Sequence, residues 1–117
     1  MQLLDINFTM FGPDDRDADR NSLYEFADQL GDLAWTSESQ FYLLTQLDAV
    51  AAHNQLRYLM RGTDFLKVQT VCGPFALTGT FPPRVNEVLE EAHRLGVIHL
   101  SFSKDADVDL LMRLLGR

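Results

Sequence analysis

Residues 2 to 11 alternate in character: Leu4, Ile6, Phe8 and Met10 are apolar, while Asp5, Asn7 and Thr9 between them are polar. A period of two over this length predicts a β-strand with one face in a core and the other face polar. Gly12-Pro13 ends it. Residues 14 to 20, six of them charged and none a large apolar residue, read as an exposed loop.

The pattern then changes to helical spacing. Ser22 and Glu25 fit a capping box, Leu23, Phe26, Ala27 and Leu30 recur at three and four, and Gly31 is a candidate left-handed stop. Thr36-Ser37-Glu38-Ser39 offers a further helix start. A second helix is expected over about 46 to 61, with Leu44, Leu47, Ala51, Gln55 and Leu59 on one stripe, Leu43, Val50 and Met60 widening it, and Gly62 as the stop. Residues 39 to 45 are compatible with helix or strand, because a short run rich in aromatic and aliphatic residues has no decisive period.

Phe65–Cys72 and Phe75–Phe81 are β-rich runs separated by Gly73-Pro74, which predicts an antiparallel hairpin with Leu66, Val68 and Cys72 inward on one arm and Phe75, Leu77 and Phe81 on the other. Pro82-Pro83 opens a helix along which Val85, Val88, Leu89, Ala92 and Leu95 form the apolar stripe, with Glu90 and Arg94 as a surface pair and Gly96 as the end. Residues 97 to 103 give a last strand, in which Ile98, Leu100 and Phe102 share a side. Asp105 or Asp107 caps a terminal helix with Val108, Leu111, Met112 and Leu115 on one stripe.

Setting aside the second and last helices, the order is βαββαβ. The expectation is a single α+β domain over residues 1 to 117: a ferredoxin-like antiparallel sheet covered by helices on one face, the last strand beside the first, with an extra helix after the first and a C-terminal helix. The rival is an α+β sheet in which residues 39 to 45 add a fifth strand.

With 117 residues, 46% hydrophobic and 23% charged, the chain is long enough for one core without disulfides or metal. Its one cysteine, Cys72, sits in an apolar run, which excludes an internal disulfide and fits a reducing compartment or simple core packing. The sequence has neither a secretory n- and h-region nor an apolar run of about 20 residues. A cytoplasmic, soluble protein is expected.

The net charge of -7 is concentrated: residues 1 to 35 hold eight acids and two bases, residues 36 to 82 three of each, and residues 83 to 117 six acids and five bases. A field of this sign disfavours nucleic acid and favours a basic protein partner.

Candidate chemistry is sparse. Asp15, Asp17 and Asp19 match the first ligand positions of a calcium loop, but Arg20 stands where its glycine belongs and Phe26 where its bidentate glutamate belongs. Asp105, Asp107 and Asp109 fail the same template at Leu110 and Gly116. His53, His93 and His99 have no ligand spacing, and the chain lacks glycine-rich phosphate fingerprints. No cofactor or metal is expected.

Three surfaces remain as candidates. Asp14, Asp15, Asp17 and Asp19, flanked by the aromatic residues Trp35, Phe41 and Tyr42, suit the binding of a basic protein, although such aromatics are more often core. A polar sheet face with Asp5, Asn7, Thr9, Lys67, Gln69, Thr78, Thr80, His99 and Ser101 suits solvent, a homodimer interface or a small ligand, with Asp5 and His99 as an acid-base pair. Leu110, Leu111, Met112, Leu114 and Leu115 suit packing into a larger assembly. The leading functional expectation is a non-enzymatic inhibitor or immunity-type protein that occludes a basic site. A small-molecule enzyme or sensor and a structural subunit are the alternatives.

Overall fold

A computed structural model describes residues 1–12, 15–76 and 81–100. The elements are β1 (Gln2–Thr9), α1 (Asp17–Leu30), β2 (Gly31–Ser37), β3 (Gln40–Thr45), α2 (Ala49–Leu56) with a 3-10 turn over Arg57–Leu59, β4 (Phe65–Val71), β5 (Gly73–Phe75), α3 (Pro83–Arg94) and β6 (Ile98–Leu100). This is an α+β domain. Its main sheet is antiparallel throughout, in the order β2-β3-β1-β4.

The alternation of β1 does what its period implies. Leu4, Ile6, Phe8 and Met10 are buried on one face with Phe41 and Leu43 of β3, beneath Leu23 and Ala27 of α1 and Ala52 and Leu56 of α2. The polar positions turn to the second face, but that face is not uniformly open as expected. Leu3, Ala34, Tyr42 and Leu44 make its apolar half, and α3 covers them with Val85, Val88, Leu89 and Ala92. β3 is therefore buried on both faces from Phe41 to Leu44, which is why it lacks alternation.

Several expectations are corrected. The last described strand, β6, does not lie beside β1; it pairs in parallel with β5 in a separate two-stranded sheet, while β1 sits between β3 and β4. Gly73-Pro74 is accordingly a piece of strand rather than a hairpin turn. Cys72 is exposed, not core. Residues 77 to 80 and 101 to 117, with the expected terminal helix, lie outside the described residues.

Of the segment expected as loop at 14 to 20, residues 17 to 20 are instead the start of α1, where Asp17 and Asp19 suit the positive end of the helix dipole. Ser22 then falls inside the helix and donates to the Ala18 carbonyl at 3.0 Å rather than capping it. Gly31 ends the helix without a left-handed turn. Its backbone is extended, and it is glycine because a Cβ there would lie 2.1 Å from the Leu44 carbonyl oxygen across the β2–β3 pair. The close approach is fixed from the other side by Thr45, whose hydroxyl donates to the Leu30 carbonyl at 2.6 Å.

Residues 36 to 39 form the β2–β3 hairpin end rather than a helix start, and the run 40 to 45 is strand. α2 is shorter than expected, begins at Asp48, whose carboxylate accepts from the Ala51 amide at 2.7 Å, and buries Ala52 and Leu56 while Val50 is 70% exposed. α3 matches its expected span closely. Gly96, at φ +75, supplies the left-handed residue after it, although Leu95 is exposed and Arg94 pairs with Glu91 rather than Glu90.

Candidate functional site

The acidic N-terminal region divides into two populations. One is neutralised internally: Arg16 is 3% exposed and gives a bidentate pair to Asp64, at 3.0 and 2.6 Å, and another contact to Asp19. Its guanidinium also donates to the Phe11 carbonyl at 2.6 Å. Asp64 further accepts from the amides of Phe11 and Arg61, so that its carboxyl is held well below the usual range by the Arg16 hydrogen bonds, against an opposing cost of desolvation. Arg61 reaches Asp19 at 3.3 Å, and Arg20 pairs with Asp17 at 3.0 Å.

The other population is exposed and has no cationic partner among the described residues. Glu25 and Asp28 stand on the outer side of α1, and Glu38 stands at the β2–β3 turn. The turn is tied to the helix by the Tyr24 hydroxyl, which donates to the Glu38 carbonyl at 2.8 Å. Asp15, just before α1, is also exposed and accepts from the Asp17 amide at 2.9 Å. Asp14 lies outside the described residues.

Among the described residues of this region, the exposed carboxylates without a base are Asp15, Glu25, Asp28 and Glu38. Asp17 and Asp19 are held by arginines from nearby turns. Glu25, expected as the partner of Ser22 in a capping box, and Asp28 both lie opposite the stripe Leu23, Ala27, Leu30.

The aromatic anchors fare differently from one another. Phe41 is fully buried and Tyr42 is 7% exposed, on opposite faces of β3, so neither is available to a partner. Trp35 is half-buried and packs edge-to-face with Tyr24 and Phe41. Burial pushes the Tyr42 phenol above its ordinary value, and the Asp5 carboxylate adds to the effect.

Asp5 lies on the open half of the second sheet face, accepting from Asn7 at 3.0 Å and from Gln40 at 2.7 Å, opposite Gln69 of β4. His99 lies in β6 against Pro74, its ring 5.7 Å from that of His93, whose Nδ1 accepts from the Leu100 amide at 3.2 Å. The expected juxtaposition of Asp5 and His99 required adjacent first and last strands, and those strands belong to different sheets.

A shallow, open depression of about 360 Å³ lies between the 3-10 turn and β4, lined among others by His53, Arg57, Tyr58 and Leu66. The Arg57 guanidinium is 5.3 Å from the Tyr58 ring centroid. Sequence reasoning passed over it because its bases are spaced as ordinary helix-end residues. Among the described residues no helix is long and apolar enough to cross a membrane.

The chain matches no protein-family model, no curated protein and no solved structure.

Proposed function

We propose that the protein is a small acidic binding module that docks through the outer side of α1 and the β2–β3 turn onto a basic site of a partner protein, occluding it as an inhibitor or immunity-type protein would. The observation that carries this reading is the sorting of carboxylates. Asp17, Asp19 and Asp64 are neutralised by arginines, while Glu25, Asp28 and Glu38 are exposed without a base among the described residues. Uncompensated charge on one face speeds encounter with an opposite charge and makes binding sensitive to salt.

The same proposal reads residues 2 to 71 as a ferredoxin-like unit, supported by the succession β1-α1-β2-β3-α2-β4 and by β1 and β2 running parallel with β3 between them. It places the protein in the cytoplasm, which suits an exposed free thiol at Cys72.

The test is capture of partners from native cells by the wild type and by Glu25→Lys/Asp28→Lys/Glu38→Lys, side by side at low and moderate salt. The reading expects a stoichiometric basic protein held by the wild type at low salt, released by salt and absent from the variant. Equal retention by both would overturn it.

A further inference from the structure

The main sheet has two edges, and they are built differently. β2 is blunted: α3 packs against it, Arg84 donates to the Leu33 carbonyl at 3.3 Å, and its pairing shifts register between Trp35 and Ser37. β4 pairs with β1 in unbroken register from Phe65 to Val71, and among the described residues no strand pairs with its outer side. Its apolar side chains are left unfinished, with Phe65 50% exposed and Leu66, Val68 and Val71 half-buried. A regular open edge of seven residues is a template for another strand, and Lys67 is its one charged residue.

We propose that the occupant of this edge is a second copy of the chain, joined antiparallel about a two-fold axis at Val68 to make a continuous eight-stranded sheet. The strand's pattern is close to palindromic about that residue. Phe65 meets Val71, Lys67 meets Gln69 and Val68 meets itself, with Leu66 against Thr70 the one mixed pair.

Charge points to the same place. Two copies of a chain with net charge -7 repel over most of their surface, but residues 49 to 76 hold three Lys or Arg and one acid, Asp64, which is buried against Arg16. In the paired sheet the row Asn7, Lys67 continues into Gln69 and Asp5 of the second copy, setting a lysine two strands from an aspartate across the axis.

The test uses the full chain. Sedimentation equilibrium of the wild type is expected to give a mass rising from monomer to dimer with concentration. Gln69→Glu, which sets a carboxylate opposite Lys67 twice per dimer, is expected to tighten the dissociation constant roughly tenfold, and Gln69→Lys to weaken it by a similar factor. Because Asp5 faces residue 69 within one chain, the melting temperature at monomeric dilution moves the other way, up for Gln69→Lys and down for Gln69→Glu. A spin label on Cys72, exposed and four residues from the axis, should report one intermolecular backbone separation of roughly 27 Å. A monomeric mass up to about 1 mM, a dimer indifferent to both substitutions, or labels in close contact would each overturn the proposal.

Discussion

The two edge strands of the sheet differ most in what surrounds them. β2 has a glycine entry that no side chain can replace, a helix against it, an arginine on one of its carbonyls and an irregular register near its end. β4 is seven regular residues that pair on one side only among the described residues. One lesson is that edge protection is a tertiary property: Arg84 and Leu33 are 51 positions apart, and no reading of β2 alone would find the contact. The other is that the apparently mixed surface of β4, with its half-buried aliphatics, is an incomplete interior.

The largest expected effect is at the base of β4. Asp64→Ala removes the bidentate partner of the buried Arg16 guanidinium, leaving it only Asp19 and the Phe11 carbonyl, and releases the turn that launches the strand; thermal unfolding should show a fall on the order of 10 °C or more. The pH dependence has a defined sign. Because the native carboxyl titrates below its unfolded value, its contribution is fully present above about pH 4 and is lost as the pH falls towards the native value. Asp64→Asn should therefore flatten the acid limb of a stability profile measured by urea unfolding. An unchanged acid limb would contradict the role given to the Arg16–Asp64 pair.

Next comes the entry to β2. Gly31→Ala forces a methyl into the Leu44 carbonyl and should cost about 2 kcal/mol in urea unfolding. A neutral result would mean that the β2–β3 approach is looser than described. Smaller still, Arg84→Ala should cost about 0.5 kcal/mol while speeding amide exchange along β2, since the side chain is half exposed. Lys67→Glu should leave monomer stability within about 0.5 kcal/mol and weaken self-association, because it replaces the one base on the open edge with an acid in the row that ends on Asp5 of the second copy.

The parts legible in the sequence were those where several local signals agreed. β1 alternates because its two faces differ in burial, and α3 has proline at its start, an apolar stripe and a left-handed glycine after it. β2 and β3 were obscured for specific reasons. Gly31 resembles a helix stop although its conformation is extended, Ser37 and Ser39 mimic a cap while forming a hairpin end, and Phe41 to Leu44 is buried on both sides. The sorting of the acids into paired and unpaired was hidden by long-range pairing, since Arg16 finds Asp64 48 positions away and Asp19 is drawn in with it. The outer side of α1 was visible as polar. Its lack of compensating bases became apparent only once those pairs were placed.

Hydrogen exchange of backbone amides, followed residue by residue in dilute and concentrated solution, tests the contrast between the edges most directly. The account predicts that the outward amides within Phe65–Val71 gain protection as concentration rises, while those of Gly31–Ser37 stay the same. Protection that is independent of concentration in both strands, or that rises in β2 instead, would contradict it.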